Sequence, residues 1–278
     1  MSTDLLSIEN LTIAPAAQQE RRLVNQVSLG LQAGRTTCIV GESGSGKSLT
    51  ALSVMGLLPT SLRRLGGRVL FQGNDLAGCT SEQMQDIRGK RIGMIFQEPM
   101  TSLNPVLTVG YQIGETLAFH LGLSGKALQY RIARLLEQVG IPPERAGSYP
   151  DELSGGQRQR VMIAMAIACE PAMLIADEPT TALDVTVQAQ ILSLLAELKH
   201  RMNMGMLFIT HDFGVVADIA DRVVVMFRGE IVESGEVDQV LGHPRHPYTH
   251  ALLDCVPDAE GKKPLKPIDY AWLNGEAA

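Results

Sequence analysis

The chain has 278 residues, 45% hydrophobic and 19% charged, with a formal net charge of -6 and a pI near 5.5. That is length for one large domain or two small ones, too apolar for a disordered chain, and the acidic balance without a Lys/Arg cluster disfavours a nucleic-acid groove. Cys38, Cys79, Cys169 and Cys255 are scattered with no C-x-x-C pair, so neither a zinc site nor a disulfide framework is indicated and a reduced, cytoplasmic chain is expected.

The N-terminus, Met1-Ser-Thr-Asp-Leu-Leu-Ser-Ile8, lacks a basic start and a long apolar run, so no signal peptide is expected. Residues 5–13 alternate loosely as a strand, residues 14–22 form a small polar turn region, and Val27-Ser-Leu-Gly-Leu31 reads as the next strand. Thr36-Thr-Cys-Ile-Val40 is a short buried strand. Arg68-Val-Leu-Phe-Gln72, closed by Gly73-Asn-Asp, is another. These strands predict an antiparallel β layer beside an α/β core.

Between the strands lies Gly41-Glu-Ser-Gly-Ser-Gly-Lys-Ser48, followed by Leu49-Thr-Ala-Leu-Ser-Val-Met-Gly-Leu57, which reads as a helix. Strand, glycine-rich loop and a helix opening on Lys-Ser form the context that makes G-x-x-x-x-G-K-[ST] a phosphate-binding loop. Glycines at Gly41, Gly44 and Gly46 let backbone N–H groups turn inward, and with the helix N-terminus these donors make an anion site. Lys47 is expected to reach the β- and γ-phosphates and the Ser48 hydroxyl to ligate Mg²⁺. A glycine-rich turn with no ligand is the bland alternative, and the flanking strand and helix weigh against it.

Arg91-Ile-Gly-Met-Ile-Phe96 reads as a strand ending at Gln97, and Pro99-Met-Thr-Ser-Leu-Asn-Pro105 is turn-rich. Residues 108–141 read as mostly helical, with Leu128, Ile132, Leu135, Leu136 and Val139 on one stripe, ended by Pro142-Pro143. Residues 98–168 thus read as a helical insertion. Leu153-Ser-Gly-Gly-Gln157 precedes a helix over residues 158–169, with Ser154 as N-cap. Its Gly155-Gly156 pair is a second anion site or simply a capped helix start. The apolar run at residues 161–176 is broken by Glu170 and Pro171 and cannot span a bilayer. Ala172-Met-Leu-Ile-Ala176 is an apolar strand ending in Asp177-Glu178, carboxylates that are costly to bury without a cation or proton. Met206-Leu-Phe-Ile-Thr210 is another strand, followed by His211-Asp212, and ligands bind at such carboxyl strand ends in open α/β sheets. A short helix at residues 215–220, a strand at residues 222–227 and a hairpin through Arg228-Gly229 close the domain.

Taken in order, these segments resemble the ATP-binding subunit of an ABC transporter over about residues 5–255. Gly41 to Ser48 matches Walker A, Gln97 the Q-loop and Leu153 to Gln157 the signature motif. Met173 to Asp177 matches Walker B with Glu178 following, Thr181-Ala-Leu-Asp184 the D-loop and His211 the switch histidine. The resemblance implies a P-loop NTPase (RecA-like) α/β core with an antiparallel β subdomain and a helical insertion at about residues 98–168. The ATPase domain is then residues 1–255 and the tail residues 256–278. It implies ATP held by Gly41, Glu42, Ser43, Gly44, Ser45, Gly46, Lys47, Ser48 and Leu49, and by Ser154, Gly155, Gly156, Gln157 and Asp184, the signature residues acting on a second subunit's nucleotide. Mg²⁺ falls to Ser48, Gln97 and Asp177, and catalysis to Glu178, His211 and Gln97. Glu178 is placed to take a proton from the attacking water.

Gln97-Glu-Pro-Met-Thr-Ser-Leu-Asn-Pro105, Asp177-Glu-Pro-Thr-Thr-Ala-Leu-Asp-Val185 and His246-Pro-Tyr-Thr249 resemble the oligopeptide/dipeptide/nickel importer group. That implies two transmembrane permease subunits, a second ABC ATPase, a solute-binding protein and a peripheral place on the cytoplasmic face of the inner membrane. A nickel or metal-chelate importer is the near alternative. A soluble ABC ATPase of DNA repair or translation and a non-hydrolysing nucleotide scaffold are more distant ones. Two departures stand out. No Phe, Tyr or Trp precedes Phe71, so Arg21 or Arg22 is left to stack on adenine through a guanidinium plane. The chain ends at Ala278 with Cys255 isolated, so no iron–sulfur cluster is expected, and the spacing of His243, His246, His250 and Cys255 is unsuited to a metal.

Overall fold

The computed structural model describes residues 4–97, 102–181 and 183–255, so part of the turn-rich 99–105 stretch, Ala182 of the D-loop and the 256–278 tail lie outside it. In chain order, strands β1 (Leu6–Pro15), β2 (Val24–Leu31) and β3 (Thr36–Val40) precede helix α1 (Lys47–Val54). Next come β4 (Leu62–Phe71), β5 (Asn74–Asp75), α2 (Ser81–Ile87) and β6 (Ile92–Ile95). Helices α3 (Val109–Leu121), α4 (Gly125–Gln138) and α5 (Gly155–Ala166) follow, then β7 (Met173–Asp177), α6 (Val185–Met202) and β8 (Gly205–Thr210). The chain continues through α7 (Phe213–Ile219), β9 (Arg222–Phe227), β10 (Glu230–Glu236), α8 (Val237–Gly242) and α9 (Pro247–Asp254). It forms two compact units, one of Met1–Leu31, Arg35–Ala77 and Ile209–Ala278, the other of Gln32–Gly34 and Gly78–Phe208.

In the first unit, β2, β1, β4 and β5 lie side by side in that order as an antiparallel sheet. β1 buries Leu6 and Ile8 between less buried neighbours, the period-2 pattern of a strand with one face inward. Asn10, at φ 51°, shifts the register, a bulge that Asn tolerates because its short polar side chain accepts the left-handed region. Beyond the bulge Leu11, Ile13 and Ala14 are all fully buried. β3 is buried along its whole length and runs parallel to β9, from Thr37 opposite Arg222 to Val40 opposite Val225. A near-continuous apolar run is what a strand covered on both faces requires. β9 turns into antiparallel β10 through Arg228 (φ 46°) and Gly229 (φ 87°), the two left-handed residues that a tight I′-type hairpin needs.

The chain after β10 is fastened back onto this unit. Glu233 on β10 accepts the Arg245 N–H at 2.8 Å and the His246 N–H at 3.0 Å. His246 then caps α9, its Nδ1 accepting the Tyr248 N–H at 3.2 Å, with Pro247 in the first turn, where a missing N–H costs nothing. Tyr248 is fully buried, its ring 4.4 Å from that of Phe227 at the end of β9.

In the second unit, β6 and β7 pair in parallel from Ile92 opposite Met173 to Ile95 opposite Ala176. α3 buries Val109, Ile113 and Leu117, one face at four-residue spacing. α4 buries Ile132, Leu135 and Leu136, with Val139 at its C-cap, while Leu128 of the expected stripe is only half-buried. α3, α4 and α5 pack on one another. Arg160 on α5 donates to the Val139 carbonyl at 2.7 Å, meeting one of the acceptors left over at the end of α4. α6 starts at the Asp184 cap, carries Lys199, His200 and Arg201 in its last turn and stops at left-handed Asn203, all favourable to a helix dipole.

The His246 cap carries a pH signature. Burial pushes the His246 imidazole below its usual pKa, and nearby Glu233 only partly offsets this. A depressed histidine is protonated sooner in the unfolded chain, so its contribution is present above about pH 6.5 and lost as pH falls through the folded value. Amide protection at residues 248–253, corrected for intrinsic exchange, is therefore expected to fall on acidification from about pH 7.5 to 5.5. His246→Asn offers Tyr248 a non-titrating acceptor and should flatten the dependence. Equal slopes in the two proteins would exclude His246 as its source.

Candidate nucleotide site

In the first unit the loop between β3 and α1 is shaped by its glycines. Gly46 is the N-cap of α1 at φ 100° and, as a glycine, supplies no side-chain cap to the first turn. A Cβ on Gly41, at φ 148°, would lie 2.1 Å from the Met226 carbonyl of β9, a distance no side chain tolerates. Ser45 is 4% exposed and its hydroxyl is buried without a hydrogen-bond partner. Lys47, 5% exposed, is folded over the loop, its Nζ donating to the Gly41 and Glu42 carbonyls at 2.8 Å each. A helix end without a side-chain cap, an unpartnered buried hydroxyl and an ammonium in one turn fit a phosphate anion. Ser43 and Gly44 are exposed, and Ser48 and Leu49 are half-buried on the first turn of α1. The helix therefore opens on Lys47 and Ser48, as the motif context requires, two residues ahead of the apolar stretch that starts at Leu49.

His211, also in this unit, follows β8 and is exposed. Its neighbour Asp212 accepts the Gly214 N–H at 2.8 Å as the cap of α7. Arg21 and Arg22 sit in an exposed turn ahead of β2.

In the second unit β7 ends on Asp177, 5% exposed, and the next residue, Glu178, adopts φ 46°. A left-handed non-glycine residue costs about 1–3 kcal/mol and persists only where its surroundings hold it. Two donors do so: Gln97 Nε2 at 3.1 Å and Thr181 Oγ1 at 2.9 Å both reach Glu178 Oε2. Gln97 and Glu178, separate motifs in the sequence, are thus in direct contact. Thr181 was legible as the first letter of the D-loop match, but its hydroxyl contact with Glu178 was not.

The Leu153-to-Gln157 stretch receives a full structural account. Ser154 Oγ accepts the Gln157 N–H at 3.3 Å and Gln157 Oε1 accepts the Ser154 N–H at 3.0 Å, a reciprocal capping box on α5. A Cβ on Gly156 would lie 2.7 Å from Val187 of α6, so close helix packing accounts for that glycine, whereas Gly155 is exposed. Asp184 Oδ1 accepts the Val187 N–H at 2.9 Å, capping α6.

A model of the ABC transporter family matches residues 24–181. The chain belongs to that family. A second model, the oligopeptide/dipeptide transporter C-terminal region, matches residues 232–271. The chain is 51% identical over 280 residues to the glutathione import ATP-binding protein GsiA of Escherichia coli O1:K1 / APEC, covering 96% of this chain and 44% of that protein. It is 53% identical over 265 residues to the putative peptide import ATP-binding protein BOV_A0348 of Brucella ovis, covering 91% and 78% respectively. The chain thus spans less than half the length of the glutathione-import relatives. Its fold is similar to a dimeric, post-hydrolysis structure of the ATP-binding cassette MJ0796 bound to ADP and Pi, at TM-score 0.75, 28% identity, 84% of this chain and 98% of that one. It is also similar to cbiO1 from Clostridium perfringens, part of the ABC transporter complex cbiONQ, at TM-score 0.76, 26% identity and coverage of 86% and 91%. The P-loop ABC fold expected from the motifs is therefore the fold observed.

Gly41→Ala places a methyl group against the Met226 carbonyl in a backbone region hostile to L residues, and about 2–4 kcal/mol of destabilisation is expected. Denaturant unfolding without nucleotide measures it. A change under about 0.5 kcal/mol would mean that β9 does not constrain the loop.

Proposed function

We propose that this chain is an ATP-hydrolysing subunit that powers import of peptides or a related small solute across the cytoplasmic membrane. The observation that carries this is the phosphate loop, where a helix N-terminus without a side-chain cap, the buried Ser45 hydroxyl and Lys47 converge. Gly41 to Leu49 hold the phosphates, and Lys47 swings from its loop carbonyls to the β- and γ-oxygens. Ser48, Gln97 and Asp177 are the residues to hold Mg²⁺, which supplies charge neutralisation on the phosphates when bound. Glu178 accepts the proton of the attacking water and His211 holds that water and the γ-phosphate in line. Gln97 and Thr181 both donate to Glu178 Oε2 and fix the carboxylate in place.

Peptide-type import is supported by the C-terminal region match and by the names of the glutathione- and peptide-import relatives. Among the described residues no helix is long and apolar enough to cross a membrane. The chain then works as a peripheral subunit on the cytoplasmic face, bound to two permease subunits served by a solute-binding protein. A second ABC ATPase completes the catalytic unit. Ser154 and Gly155 are exposed, as is Val185 beside Asp184 at 84%, which suits a face that meets the partner's nucleotide.

Glu178→Gln keeps the shape but removes the base, so ATP binding is expected to persist while turnover falls about 10²–10⁴-fold. Steady-state ATPase assays and equilibrium nucleotide binding measure the two, and near-normal hydrolysis refutes the assignment.

Shared sites give a second test. Lys47→Ala damages the site carrying its own phosphate loop, and Ser154→Arg the site carrying its partner's. If the purified chain pairs with itself, mixing the two single variants regenerates one intact site in each mixed dimer. Activity then exceeds that of either variant alone, whereas a mixture no more active than the average of its components refutes the shared site.

A further inference from the structure

We propose that Tyr248 is a positioning residue of the phosphate loop, so that the C-terminal His246-Pro-Tyr-Thr249 segment sets the protein's grip on nucleotide. The proposal deepens the ATP-binding reading and rests on it for its effect on affinity. Three observations, all within the first unit, carry it. The Glu42 N–H donates to the Tyr248 hydroxyl oxygen at 3.1 Å across 206 residues of chain. Tyr248 is 0% exposed, so its hydroxyl reaches the half-buried Glu42 from the protein interior and is held there by its packing. Lys47 Nζ meanwhile donates to the carbonyls of Gly41 and Glu42 at 2.8 Å. The peptide that joins Gly41 to Glu42 is therefore held on both edges, its N–H by Tyr248 and its carbonyl by the lysine expected to move onto the phosphates.

The placement of Tyr248 is itself over-determined. Glu233 fixes the approach to α9 by accepting two successive amides, and His246 caps its first turn. The ring rests on Phe227, and the turn after Phe227 returns to the loop, with the Gly229 N–H donating to the Ser45 carbonyl at 3.1 Å. Helix α9, the β9–β10 turn and the phosphate loop thus share one set of contacts. When Lys47 leaves its carbonyls for a phosphate, the Tyr248 bond stays behind and keeps the Gly41–Glu42 peptide from following.

The test is a double-mutant cycle. Tyr248→Phe keeps the ring on Phe227 and deletes only the hydroxyl. Glu42→Pro deletes the N–H, and Glu42 is not among the residues with positive φ. Tyr248→Phe is expected to keep the melting temperature within a few degrees, to speed amide exchange at residues 42–44, and to weaken ATP binding about fivefold, the equivalent of one hydrogen bond. kcat at saturating ATP should change less than twofold, which separates loop positioning from loss of chemistry. In the Glu42→Pro background Tyr248→Phe should change ATP affinity less than twofold. An equal loss in both backgrounds means that Tyr248 acts by packing alone, and the proposal falls. Unchanged exchange at residue 42 in Tyr248→Phe overturns it whatever the affinity does. Failure of the wild-type chain to bind ATP at all would instead refute the nucleotide reading, with the exchange measurement still deciding whether the hydroxyl holds the loop.

Discussion

The contact on which the rest depends is the approach of β9 to the phosphate loop. The Met226 carbonyl sits where a Cβ of residue 41 would be, 2.1 Å from its ideal position. Only a glycine lets the strand press so closely, and that pressure shapes the loop together with the Lys47 and Tyr248 side chains that bond its backbone. Gly46 is pinned from another side, its Cβ position lying 2.9 Å from the Leu23 carbonyl just ahead of β2. A loop built this way resists collapse onto itself when its charge changes, since its outer wall is packed strand rather than water.

The second unit solves a different problem by different means. Glu178 must present a carboxylate immediately beyond a fully buried strand, and it does so in a left-handed conformation that costs free energy. Two neutral donors on one oxygen stabilise that geometry. Preorganisation of this kind places strain at one residue and offsets it with hydrogen bonds from Gln97 and Thr181.

Much of this was legible in the sequence because the motifs are local. β3 agrees with the expected strand residue for residue, and the Arg228-Gly229 hairpin and the Ser154 cap are where turn and capping chemistry put them. Period and composition were weaker guides elsewhere. β4 begins at Leu62, earlier than the expected Arg68, because its first half, Leu62-Arg-Arg-Leu-Gly66, has no fully buried residue and no apolar alternation in its letters. α6, at 18 residues the longest helix described, is faint in the sequence, since its first turns are largely exposed and its buried residues cluster late, at Ile191 to Leu198. Contacts between distant segments were not legible at all. His246-Pro-Tyr-Thr249 was recognisable as a family signature, but nothing in the string of letters says that its tyrosine meets Glu42.

That contact also explains why a tyrosine suits the position. Behind a loop made to bind an anion, an aspartate or glutamate would repel the phosphates, and a histidine would change charge near neutral pH. A phenol hydroxyl accepts from an N–H, stays neutral far above physiological pH and brings a ring large enough to seal the site against Phe227. Its span of 206 residues has a consequence for folding. Closing so long a loop yields little local reward, so the contact forms after the segments it joins have ordered, and the hydroxyl that finishes the phosphate loop comes from near the end of the described chain. The loop's geometry is thereby tied to the folding of the C-terminal helix rather than to the glycine-rich sequence alone.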